Sequence, residues 1–199
     1  LRTFSEEAYD NSIAFKCEMT MKKDSSLSGR LESKMQSHFS HYLNFIDDTA
    51  NIKKLIPGIS GKDLKDFEIK KATEGKLEFH ADFEKQNAIE GNAGYLFLQL
   101  PEPNSELPDR YLSKLPSERK TRLVLPFPAE YSYEYKLQAA EGYQSIIDKK
   151  EINIENEAGS LRIEIKQKGN DVMVKRELHI PETTIEVNNL LYTISLYSI

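Results

Sequence analysis

The side chains whose types and spacing are suited to chemistry are one cysteine, four histidines, several carboxylate pairs and a run of tyrosines. A reactive thiolate needs partial exposure, a helix start or a neighbouring base. Cys17 instead stands in Ile13-Ala-Phe-Lys-Cys-Glu-Met-Thr-Met21 with the parity of Phe15 and Met19, which predicts a buried structural thiol. His38 and His41 have the i, i+3 spacing that one helical turn could close around a metal, with Asp47 or Asp48 as further ligands. Two surface histidines are the simpler reading, so no metal site and no cofactor is expected. His80 shares a strand face with Glu78, Asp82 and Glu84. An enzyme built on His80, Asp82 and Glu84 is conceivable there, yet a solvated face accounts for the same pattern. Asp47-Asp48 and Glu155 with Glu157 lack the apolar setting that raises a carboxyl pKa, and read as solubilising charge.

The tyrosines are the most suggestive group. Tyr131, Tyr133 and Tyr135 alternate along one strand face, with Phe127 and Tyr143 nearby in sequence. Exposed rings in such a row form a platform for stacking on sugars, which makes Tyr131, Tyr133 and Tyr135 the candidate ligand face. Tyr is also a good strand former, and alternating Tyr commonly builds a core layer with hydroxyls at its edge. No G-x-S-x-G, H-E-x-x-H, C-x-x-C, P-loop or G-x-G-x-x-G motif is present.

These groups must be positioned by elements that the apolar periodicity reveals. Residues 13–21 alternate strictly, as a strand does. Lys22 to Ser28 is a polar turn, and residues 29–39 return as a second strand. Tyr42, Phe45, Ile46, Thr49, Ile52 and Ile56 then follow helical spacing, predicting an amphipathic helix over 42–56 that ends at Pro57-Gly58. Residues 65–73, 76–85 and 95–100 read as strands. Pro101, Pro103, Pro108 and Pro116 punctuate a stretch without periodicity. Beyond it, short strands alternate with turns at 157–160 and 168–171, and 185–199 fit helix and strand equally well.

The expected fold is therefore mainly β. A β-rich unit spans 1–105 with helix 42–56, a Pro-rich connector covers 106–117, and an antiparallel β-sandwich-like domain occupies 118–199. The composition agrees. The 199 residues are 39% hydrophobic, with one Cys, no Trp and a net charge of −5. That suffices for a core without disulfide or metal staples. No apolar run has the length a spanning helix needs, so no membrane span is expected. The mildly acidic balance argues against nucleic acid as a partner. The chain opens Leu1-Arg2-Thr3-Phe4 without a signal-peptide pattern, as expected if a leader was removed or the chain is an excised piece.

Residues 119–147 read Arg-Lys-Thr-Arg-Leu-Val-Leu-Pro-Phe-Pro, then Tyr131-Ser-Tyr-Glu-Tyr-Lys-Leu, then Glu141-Gly142-Tyr143. Downstream come Ile154-Glu-Asn-Glu-Ala-Gly159-Ser160 and Gly169-Asn170-Asp171-Val172-Met173-Val174-Lys175-Arg176. This segment resembles the C-terminal β-domain, of unknown function, in Bacteroidetes transglutaminase-like proteins, and the first half is similar to the region preceding it. The resemblance implies a non-catalytic accessory or interaction domain, with an upstream transglutaminase-like domain as partner and a protein or glycan as possible ligand. It also implies export to the periplasm or cell surface. The family's Cys-His-Asp catalytic residues match nothing here. The rival expectation is a free-standing carbohydrate-binding module using the tyrosine face.

Overall fold

The computed structural model describes residues 11–36, 56, 59, 62–73, 75–92, 95–101, 103, 122–124, 128–143, 149–156, 158–181 and 184–185. Within them the chain forms β1 (Ser12–Met21), β2 (Leu27–Gln36), β3 (Leu64–Thr73), β4 (Lys76–Lys85), β5 (Ile89–Asn92), β6 (Tyr95–Leu98), β7 (Leu123–Val124), β8 (Ala129–Gln138), β9 (Lys149–Asn156), β10 (Gly159–Lys168), β11 (Asp171–Ile180) and β12 (Thr184–Ile185). Eight of these make one sheet in the order β3-β4-β2-β1-β8-β11-β10-β9. The pairs β5/β6 and β7/β12 are separate two-stranded ribbons.

The period-two pattern decides which face is dry. Along β1 every second residue from Ile13 to Met21 is buried, and Ala14, Lys16, Glu18 and Thr20 are exposed. The first hairpin turns at Asp24, whose Oδ1 accepts from the Ser26 amide at 3.0 Å and the Ser26 hydroxyl at 2.6 Å. These two donors hold the Asp24 carboxyl below its ordinary range. The register that follows sets Ile13 opposite Met35, Cys17 opposite Leu31 and Met19 opposite Gly29.

The two halves meet through β1 and β8, which run parallel from Ser12↔Glu130 to Thr20↔Gln138. This pairing carries the inner rows unbroken across the sheet. Phe79, Ser33 and Phe15 on one side continue into Tyr133, Arg176, Ile163 and Ile152 on the other. Phe15 sits at the seam, with its ring centroid 6.4 Å from Tyr133 and 5.9 Å from Tyr135, both in tilted geometry. Ile56 and Ile59 are buried in the same core. The cross-strand aromatic and aliphatic pairs supply most of the sheet's specificity beyond simple burial.

One sequence expectation changes, and one strand forms with irregular pairing. A sandwich-like C-terminal half does not appear as a separate body among the described residues. Its strands β8 to β11 form one mixed sheet with β1 to β4. Alternation identifies a strand and its buried side, but the choice of partner, here a parallel one reached only after a long crossover, is non-local. The 65–73 strand is irregular. Its register against β4 shifts between Lys65 and Glu68 and again between Ile69 and Lys71, with Asp66 at φ 45°. The helix expected over 42–56, the connector at 106–117 and nearly all of 185–199 lie outside the described residues.

Gly29 is required by close approach. A Cβ there would collide with the Glu18 carbonyl oxygen and press on the Phe83 ring. Gly29→Ala is expected to destabilise the chain by about 1–3 kcal/mol, and Phe15→Ala by about 3–5 kcal/mol. Both are read from urea denaturation midpoints at constant m-value. A Phe15→Ala loss comparable to an ordinary surface substitution would refute the seam as the centre of the core.

Candidate functional site

Tyr131, Tyr133 and Tyr135 occupy the inner face, and their exposures are 3%, 1% and 3%. The Tyr131 and Tyr133 rings stand edge to face at 79°. The Tyr131 hydroxyl accepts from Asn11 Nδ2 at 3.0 Å, and the Arg176 guanidinium lies 4.5 Å from the Tyr133 ring centroid. These rings are core material, with one cation–π contact built into them. The flat, solvent-facing platform expected for sugar stacking is not formed by them, because their parity matches the inner residues of β1 in the parallel register.

Cys17 is 1% exposed between Leu31 and Tyr135. Burial, with the nearby Glu18 carboxylate as a smaller cause, pushes its thiol from 9.0 up to about 12. A thiol so placed stays protonated and unreactive at neutral pH.

The other sequence candidates lie on the outer face. His80 Nε2 is 3.2 Å from Glu68 Oε2 on β3, while Glu84 is clamped by Lys22 Nζ at 2.8 Å and Lys65 Nζ at 2.7 Å. The two lysine hydrogen bonds hold the Glu84 carboxyl down to about 2. The structure thus gives His80 and Glu84 to different partners and does not gather them around Asp82. Lys136 bridges β8 to β1 in the same way, 2.9 Å from Glu18 and 4.0 Å from Glu134. Among the described residues no group of three His, Cys, Asp or Glu side chains is placed to hold a metal. His38, His41, Asp47, Asp48 and Glu157 lie outside them.

Two surface features were not singled out by residue pattern. The first is a shallow cleft of about 330 Å³ on the outer face of β8, β11, β10 and β9. Register stacks Glu130, His179, Ser160 and Glu155 in one row across it, and Ser132, Glu177, Arg162 and Asn153 in the next. Arg162 leans toward Glu151 at 3.5 Å, and Glu177 pairs with Lys175 at 2.6 Å. Such a surface is hydrophilic and of mixed charge. The second is the β5/β6 ribbon, on which Tyr95, Leu96 and Phe97 are 53%, 39% and 61% exposed. Their signal in the sequence is an apolar run without alternation: a thin ribbon cannot bury both of its sides.

Residues 94–189 match DUF3858. It is described as a domain of unknown function with a solved structure, and the match takes in β6 to β12, slightly under half of the chain. No curated protein is similar to the chain at a significant level. The matched region includes the segment from Arg119 to residue 189, and it supplies β8, β9, β10 and β11 of the large sheet. No helix among the described residues is long and apolar enough to cross a membrane.

Two measurements check this picture. The Glu84 carboxyl is expected to titrate near pH 2 by NMR and to move up toward 4.5 in Lys65→Met or in high salt. A carboxyl with a depressed folded-state pKa stabilises above its unfolded pKa, so the clamp's contribution falls away as pH drops from 4.5 toward 2. Cys17 has the opposite sign. Its contribution is complete below pH 9.0 and is lost as pH rises toward about 12. The alkaline fall in stability is therefore expected to be steeper in the natural chain than in Cys17→Ala, by a difference on the order of 4 kcal/mol across that window. Equal slopes, or thiol labelling of the folded chain at the rate of the unfolded one, would refute the burial of Cys17.

Proposed function

We propose that this chain is a non-catalytic accessory β-domain, the C-terminal part of an exported transglutaminase-like protein of the Bacteroidetes, that docks against the catalytic domain preceding it. The observation that carries the reading is the apolar β6 ribbon. Tyr95, Leu96 and Phe97 together expose large apolar side chains next to a sheet whose outer face is otherwise charged. Tyr95 and Phe97 share one side of β6 and Leu96 takes the other, and exposed aromatic anchors of this kind are typical of interface centres. The DUF3858 match over 94–189 supports the resemblance of the same segment to the C-terminal region of those proteins. The buried Cys17 thiol supports a non-catalytic role, because the one nucleophilic sulfur serves packing.

The test uses the parent protein. Tyr95→Ser/Phe97→Ser is expected to leave the sheet intact by circular dichroism and to lower the melting temperature of the upstream catalytic domain by several degrees. The accessory reading fails if the 199-residue chain alone shows transamidase or amidase activity. It fails equally if no Cys-His-Asp domain is encoded next to Leu1.

A further inference from the structure

The large sheet ends in two edge strands, and among the described residues β3 is the one interrupted by bulges. On β3 the register slips twice and Asp66 takes a left-handed φ. Bulges of this kind twist an edge away from further pairing. β9 is regular. It pairs with β10 from Gly159↔Asn156 to Lys166↔Lys149 without a shift, carries no Pro, and has no partner on its outer side among the described residues. Ile152 and Ile154 on its inner parity stay partly exposed at the end of the core rows.

We propose that β9 pairs antiparallel with β9 of a second copy of this chain, extending the sheet across a two-fold axis at Ile152. The argument is self-complementarity. With Ile152 facing Ile152, Lys149 falls opposite Glu155, Lys150 opposite Ile154, and Glu151 opposite Asn153. All pairs keep inner residues with inner and outer with outer, as an axis perpendicular to the sheet demands. Lysine on an edge ordinarily guards it. Here Lys149 makes no direct ion pair among the described residues, acts on Glu164 only through space, and lies opposite Lys166, whose own ammonium is taken by Glu164 at 2.7 Å. Glu155 is likewise unpaired and lies opposite the neutral Ser160. The two-fold pairing matches each of these charges with its opposite, once on each side of the axis. Glu151 is already engaged by Arg162 at 3.5 Å and meets a neutral amide. Ile152 gains its own copy as an apolar neighbour, continuing the row that runs from Phe79, while Ile154 packs against the aliphatic stem of Lys150.

Sedimentation velocity on the 199-residue chain over a concentration series is expected to move from one-chain to two-chain mass. Lys149→Glu and Glu155→Lys each set like charges opposite one another twice, and each is expected to weaken association roughly tenfold or more. The double exchange Lys149→Glu/Glu155→Lys restores it. Both residues are exposed, so unchanged circular dichroism is expected for all three variants. Hydrogen exchange on the unsubstituted chain gives an independent reading, with β9 amides gaining protection as concentration rises and β3 amides unchanged. A one-chain mass at every concentration overturns the proposal. So does a dimer whose affinity neither single substitution alters, or one whose β9 amides gain no protection.

Discussion

The parallel pairing of β1 with β8 is the constraint on which the rest of the molecule depends. Among the described residues it is the strand pairing that joins the N-terminal and C-terminal groups of four strands. Its register, Phe15 against Tyr133 and Cys17 against Tyr135, determines that the apolar layers of both halves fall on one face. A slip of a single residue would turn Tyr131, Tyr133 and Tyr135 out to water and bring Glu130, Ser132 and Glu134 inward. The interlocked rings of Phe15, Tyr133 and Tyr135 make that slip costly. A parallel pair also commits the chain to closing a long loop before the pairing is rewarded, so this contact is expected to form late in folding.

Once that register is set, the two faces take different work. The inner face is largely hydrophobic, and the Arg176 guanidinium on it lies over the Tyr133 ring. The outer face is a lattice of short ion pairs that cross strand boundaries, as Lys136 does between β8 and β1 and Lys65 between β3 and β4. Exposed pairs of this type contribute little each. Their arrangement matters more for solubility and for disfavouring wrong registers, since a shift would set like charges opposite one another. The nucleophilic sulfur lies on the dry side, and the carboxylates and imidazoles of the described residues lie on the wet side, several of them already paired.

The two proposed contacts with other protein both lie at the margins. The β5/β6 ribbon holds its aromatic side chains clear of the core, and β9 leaves one edge regular while β3 is bulged. Both proposed contacts lie at the periphery of the sheet, away from its charged centre.

The sequence was most informative about single elements. Strict alternation in 13–21, 76–85, 131–137 and 161–165, and the same parity interrupted at Arg176 in 172–180, identified those strands and, through Phe15, Phe79 and Leu161, their buried sides. The turns at 157–160 and 168–171 were legible from Gly159 and Gly169, and Cys17 as a packed thiol followed from its parity. Period-two patterning is a local property, and burial enforces it residue by residue. Which strands pair, and in which direction, depends on atoms far apart in the chain, so the parallel β1/β8 seam and the single mixed sheet were settled only in three dimensions. The tyrosines show the same divide: their spacing placed them on one side of a strand, but only the register with β1 decided that the side was the interior. The exposed ribbon at Tyr95 and Phe97 and the unblunted edge at β9 are likewise tertiary facts, because an apolar residue is sticky only where the fold leaves it uncovered.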